Sequence, residues 1–277
     1  MCELFAMSAR FPTTIHLSLD ELARHGGATG PHRDGWGLAF VQGHDALVVR
    51  EPEAASESPL IAFMQHQDLR SSQVLAHLRK ATQGPRSLCN TQPFVRELGG
   101  RAHLFVHNGM LTGIETDARF PTQRFRTIGE TDSEHAFCAL LEKLGPLWEH
   151  RAPTVEERLS VVEAFAADLR TLGPANFLYC DTDALFAHGD RRRSNTGEIQ
   201  PPGLHWLCRR CSPGADGVPI AGVSIAHGEE QEIALIASVP LSGEAWVPFR
   251  EGEIVILREG RVTHHPHPDA PTPIPLR

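Results

Sequence analysis

The sequence has no apolar run long enough to cross a bilayer. Its opening residues, MCELFAMSARFPTT, lack the charged start, apolar stretch and small-residue cleavage site of a secretory leader. A cytoplasmic protein is the expectation. There is no second cysteine pair to complete Cys208-Arg-Arg-Cys211, so that C-x-x-C spacing does not make a zinc ribbon and reads as a strand with two incidental thiols. The 6 cysteines are too scattered over 277 residues for a disulfide framework. Basic excess is missing as well. The formal net charge of -8 argues against a phosphate-binding surface for nucleic acid. The one dense basic run, Arg191-Arg192-Arg193, lies beside Ser194, Asn195 and Gly197 and reads as a solvated loop. No internal repeat is present. The His264-His265-Pro-His267 cluster falls in a Pro-rich ending, residues 261–277, read as a disordered tail able at most to bind metal weakly.

What is present is an ordinary globular composition, 41% hydrophobic and 22% charged, in a chain long enough for one large domain or two small ones. Apolar stretches predict strands over residues 2–9, 38–41, 46–50, 74–78 and 102–107. Later strands follow over 176–180, 184–188, 204–209, 232–238 and 253–257. Helices are predicted over 17–25, ending at Gly26-Gly27, and over 59–67. A third begins near Ser133 and ends at Gly145-Pro146, and an amphipathic fourth spans 154–172. Residues 30–37 are turn-rich, and 189–203 read as an exposed loop. Strands on either side of a central helix pair fit packed sheets with helical layers outside better than an alternating βαβ fold.

The chemistry starts at residue 2. If Met1 is removed, Cys2 carries both a thiol and a free α-amine, whose reference pKa of about 7.7–8.0 lets it take the thiol proton near neutrality. A nucleophile paired with its own terminal amine is an established route to acyl transfer. Three further segments complete a plausible set: residues 77–84 (HLRKATQG), His107-Asn108-Gly109, and Gly129-Glu130-Thr131-Asp132. A tetrahedral oxyanion needs donors, which the Asn108 side chain and the Gly109 N–H can supply. A substrate α-carboxylate suits the planar fork of Arg79, and an α-ammonium suits Asp132.

In this order the motifs resemble those of the class II glutamine amidotransferases, an N-terminal-nucleophile family. The resemblance implies an α+β fold, a four-layer αββα sandwich of two antiparallel sheets flanked by helices, over a single domain of residues 1–260. It implies Cys2 as nucleophile, Asn108 and Gly109 as the oxyanion hole, and Arg79, Thr82, His107 and Asp132 around the substrate. The loop His32-Arg33-Asp34-Gly35-Trp36-Gly37 resembles the family segment that shapes the site near the nucleophile. CELFAMSA, GGATGPHRDGWG, NTQPF and GETDSEHAFC are similar to a stand-alone bacterial subgroup, the YafJ-like proteins, related to the γ-glutamyl amidohydrolase EgtC.

The implied reaction hydrolyses the γ-amide of glutamine or of a γ-glutamyl compound through a thioester, and needs no metal or cofactor. The implied partner is a small-molecule substrate, with neither nucleic acid nor membrane. Two departures stand out. Gln92 replaces a histidine found in many members, and Lys80 replaces a tryptophan. They leave open a silent γ-glutamyl-binding module; and because no second catalytic domain is visible in the sequence, a glutaminase subunit that feeds ammonia to a separate synthase is open as well.

Overall fold

The computed structural model describes residues 1–14, 24–67, 69–193, 197–211, 231–264 and 274–275. The helix expected over 17–25 falls largely on residues 15–23, outside the described residues, as do His265 and His267.

Two sheets form the centre. In the first, β1 (Glu3–Thr13) lies between β4 (Ser71–Leu78) and β12 (Gln231–Ala237), antiparallel to both. β2 (Trp36–Gln42) and β3 (Asp45–Glu51) continue it beyond β4. On the other side β11 (His205–Cys211) follows β12 and carries two short strands, β13 (Val247–Pro248) and β16 (Ile274–Pro275). The second sheet runs in the order β15 (Arg261–His264), β14 (Glu253–Arg258), β8 (Leu185–Gly189), β7 (Ala175–Cys180), β6 (Arg101–Gly109), β5 (Phe94–Leu98).

The period-two pattern of the strands sorts the core into layers. Leu4 and Ala6 of β1 join Leu75, Leu104, Val106 and Leu178 between the sheets. The alternate residues Phe5, Met7 and Ala9 face outward with Trp36, Phe40, Ile61 and Met64. Ile61 and Met64 come from α1 (Pro59–Gln65), which covers the first sheet. The outer face of the second sheet packs Phe105, Phe177 and Phe186 against Phe137 of α2 (Asp132–Trp148) and Phe165 of α3 (Val155–Arg170). The result is the expected α+β sandwich, helix on sheet on sheet on helices.

Several local expectations change. α2 does not stop at Gly145-Pro146 but continues to Trp148. Proline in a last turn removes one backbone bond where helical bonding is already ending, so the helix survives it. The cap is Thr131, whose hydroxyl accepts from the Glu134 N–H, so the helix begins ahead of Ser133. β5 was not anticipated, although Gly99-Gly100, with φ of 61° and 76°, turns it directly into β6. Within 189–203, two-residue strands β9 (Arg192–Arg193) and β10 (Ile199–Gln200) pair. Pairing also runs past residue 260: β15 closes one edge of the second sheet and β16 lies beside β11.

Candidate active site

The start of β1, the ends of β4 and β6 and the start of α2 meet at one corner. Glu3 of β1 pairs with Leu78, the last residue of β4, so Cys2 lies against the chain that continues as Arg79 and Lys80. The Lys80 N–H donates to the Cys2 sulfur at 3.3 Å, and the Lys80 carbonyl lies 3.5 Å from the same atom. An N–H aimed at sulfur favours the thiolate. Burial acts the other way and pushes the Cys2 thiol up, against the pull of the Lys80 amide, the chain's amino terminus and Arg79; Asp132 adds to the rise. Arg79 and Asp132 therefore both act on this sulfur.

Asn108 approaches from β6. Its side-chain amide donates to the Cys2 carbonyl at 2.5 Å, and its own carbonyl accepts from the Asn176 amide at 3.1 Å. Gly109 has no room for a side chain, because a Cβ there would sit 1.9 Å from the Pro174 carbonyl oxygen. His107 is buried on the opposite face of β6, stacked on Phe105, with Nδ1 2.8 Å from the Ser133 hydroxyl. Burial holds His107 below the usual imidazole range although Asp132 acts to raise it, so the ring is neutral at pH 7.

Gln92 has a clear place. Its Oε1 accepts from the His107 N–H at 2.6 Å, and its Nε2 donates to the His107 carbonyl at 3.3 Å. One side chain thus clamps the main chain just before Asn108, a task for an amide with both a donor and an acceptor. Gln92→Leu should orphan both main-chain groups and destabilise the protein by about 1–3 kcal/mol. Urea denaturation measures this.

Arg79 is buried, yet makes no ion pair with a carboxylate among the described residues. Its guanidinium donates to the carbonyls of Asp34, Pro85, Gln83 and Gly84. The Arg79 N–H donates to the Gly35 carbonyl at 2.8 Å, and Asp34 accepts from the Ala81 N–H at 2.8 Å, so the 32–37 loop is laced to this strand end. Thr82 is exposed on the adjoining turn. Asp132, in the first turn of α2, accepts from the N–H groups of Leu111 and Ser133 at 2.8 and 2.7 Å. Cys2, Arg79, Asn108 and Asp132 share the corner; His107 lies behind the strand and Thr82 at its rim.

A cavity of 550 Å³ opens beside Cys2, with Met1, Glu3, His32, Lys80, Arg192 and Arg193 in its walls. His32 Nε2 lies 2.7 Å from the Met1 carbonyl, and Glu3 lies 2.8 Å from His25 Nδ1. Burial alone would raise the Glu3 carboxyl, but the His25 hydrogen bond and the nearby His32 hold it below its ordinary value.

One buried group affects stability. His77 of β4 is fully buried, and neither ring nitrogen has a hydrogen-bond partner among the described residues. Burial, reinforced by Arg79, lowers its pKa from 6.5 to about 3. The unfolded chain takes up a proton at His77 as pH falls through about 6.5 and the folded chain does not, so this stability is full above that pH and declines below it. Between pH 7 and pH 5 the loss should be about 2 kcal/mol. Comparing denaturation midpoints of the protein and of His77→Phe at both pH values isolates it: the variant should show a shallower decline.

The sequence marks Gln92 only as a departure and gives no sign of the contacts made by Asn176 and the Lys80 main chain. Each acts across strands, and nothing local in the sequence marks such a contact.

A family model described as "Glutamine amidotransferases class-II" matches residues 1–275. The chain is 36% identical over 258 residues to YafJ of Escherichia coli (strain K12), named as a candidate glutamine amidotransferase, covering 91% of this chain and 96% of that one. It is 31% identical over 268 residues to a similarly named protein of Haemophilus influenzae, covering 94% and 85%. Among solved structures, a predicted glutamine amidotransferase from Pseudomonas aeruginosa PA01 superposes with a TM-score of 0.67 at 29% identity, over 95% of this chain and all of that one. Glutamine phosphoribosylpyrophosphate amidotransferase from B. subtilis superposes with a TM-score of 0.57 at 15% identity over 48% of its length, a likeness of fold.

Proposed function

We propose, from the premise that this chain belongs to the class II glutamine amidotransferases, that it cleaves a γ-glutamyl amide with Cys2 as nucleophile. The observation that carries the reading is the Lys80 N–H aimed at the Cys2 sulfur, with the Asn108 amide directed at the same residue. In the proposed reaction Met1 has been removed. The Cys2 α-amine takes the thiol proton, and sulfur attacks the amide carbon. The Asn108 amide and the Gly109 N–H receive the oxyanion, which requires Asn108 to exchange its present acceptor, the Cys2 carbonyl, for the substrate oxygen. The α-amine passes the proton to the departing amine, and water hydrolyses the thioester to release glutamate. Arg79 takes the substrate α-carboxylate in exchange for some of its carbonyl partners, and Asp132 takes the α-ammonium. Thr82 lies at the pocket rim, and His107 backs the strand that carries Asn108.

A second reading applies to a chain that keeps Met1. With Met1 in place, the Cys2 amine is tied up in a peptide bond and the Met1 carbonyl is held by His32. A chain that kept Met1 would bind γ-glutamyl groups without cleaving them. We further propose that the protein works in the cytoplasm, alone or with a synthase that uses the ammonia; no helix among the described residues is long and apolar enough to cross a membrane.

The test is a substrate screen on protein whose first residue is verified by intact mass. Glutamate release from glutamine or from a γ-glutamyl compound is expected from Cys2-initiated chain. No release from any of them would overturn the amidase reading.

A further inference from the structure

Resting on that amidase reading, we infer that the amine half of the natural substrate carries a carboxylate, seated in the cavity beside Met1 by Lys80, Arg192 and Arg193. The α-amine that protonates the departing nitrogen must lie within hydrogen-bond reach of it. Met1 is attached to that same amine, so the departing group enters the space Met1 vacates. The contact between the Arg193 N–H and the Met1 sulfur, 2.8 Å, shows how closely a group there approaches β9.

The charge in this cavity is one-sided. Lys80, Arg192 and Arg193 line it against a single carboxylate, Glu3, whose field reaches Arg192. Glu3, the acidic wall residue, is engaged by His25. Arg192 is half-buried and its Nη1 is anchored on the Ser238 carbonyl at 2.9 Å, which fixes the fork and leaves its other donors for a ligand. A second cavity of 340 Å³ shares Arg192 and Arg193 and adds His205, giving a larger amine half somewhere to extend. Ammonia, the group released from glutamine, needs no such space, and three cations disfavour its protonated form.

In the step itself the amide C–N bond breaks as the Cys2 S–C bond forms. The thiol proton goes by way of the α-amine to the departing nitrogen, and water later splits the thioester and restores the thiol. The anion takes no part in the bond changes and acts by holding the amine half.

The test compares γ-glutamylglycine with γ-glutamylglycinamide, matched in size and differing in charge, on the full chain starting at Cys2. The acid should show a kcat/KM at least about tenfold higher. In Arg192→Gln/Arg193→Gln that ratio should fall towards one. Lys80→Gln should lower it too, and it leaves the anchor on Ser238 intact, which guards against a folding defect in the double variant. Calorimetric binding to Cys2→Ala should show the same preference without turnover. Equal kcat/KM for the two compounds, or a ratio unmoved by all these variants, overturns the inference while leaving the amidase reading standing. Selective binding without any glutamate release overturns the amidase reading and keeps the cavity's preference.

Discussion

Cys2→Ala should lower glutamate release by about 10⁴-fold or more, the scale seen when a covalent nucleophile is removed. The substitution is well suited to the question because alanine also permits removal of Met1, so the variant still presents a free α-amine to the same corner. Cys2 precedes β1, and its sulfur makes its hydrogen bonds with the main chain of Lys80. The thermal midpoint should therefore shift by the equivalent of about 1 kcal/mol or less. Loss of activity with an intact melting curve is the expected pair of results. Glutamate release surviving in Cys2→Ala would remove the thiol from the mechanism.

Asn108→Ala should lower kcat by about 10²–10³-fold with little change in KM, because an oxyanion donor acts on charge that develops only in the transition state. The residue also has a structural contact, its amide on the Cys2 carbonyl, so alanine alone could disturb the start of β1. The melting curve of Asn108→Ala answers this: the main-chain carbonyl that accepts from Asn176 is kept and only the side-chain donors are lost, so an unshifted midpoint assigns the kcat loss to the missing donor. A rise in KM at constant kcat would instead make Asn108 a ground-state binding residue.

The sheets were legible in the sequence because apolar residues on their strands mark two buried faces, as in CELFAMSA, where Leu4 and Ala6 face one layer and Phe5 and Met7 the other. β5 escaped because a short strand with two charged residues carries a weak pattern, and only its Gly99-Gly100 turn announced it. The end of α2 lies past Gly145-Pro146 because a Gly-Pro pair breaks helices in their middle but not in their last turn. At the site, Cys2, Arg79, Asn108 and Asp132 stand at element ends, where short motifs record local turns as well as chemistry. Gln92 was visible as a departure, but its clamp on His107 depends on the loop before β5 lying against β6, and residue spacing cannot express that.

The alternation along β1 also constrains how this chain can change. Residue 2 is held to Lys80 by the same ladder that sends Leu4 into the inter-sheet layer and Phe5 to the outer one. Inserting or deleting one residue ahead of Leu4 would force a choice between keeping the layers and keeping the sulfur beside Lys80, since a single-residue slip in a strand exchanges its two faces. Beyond Cys2, substitutions at this end can drift one at a time, whereas length variation is closed off by strand geometry even where the side chains themselves are replaceable.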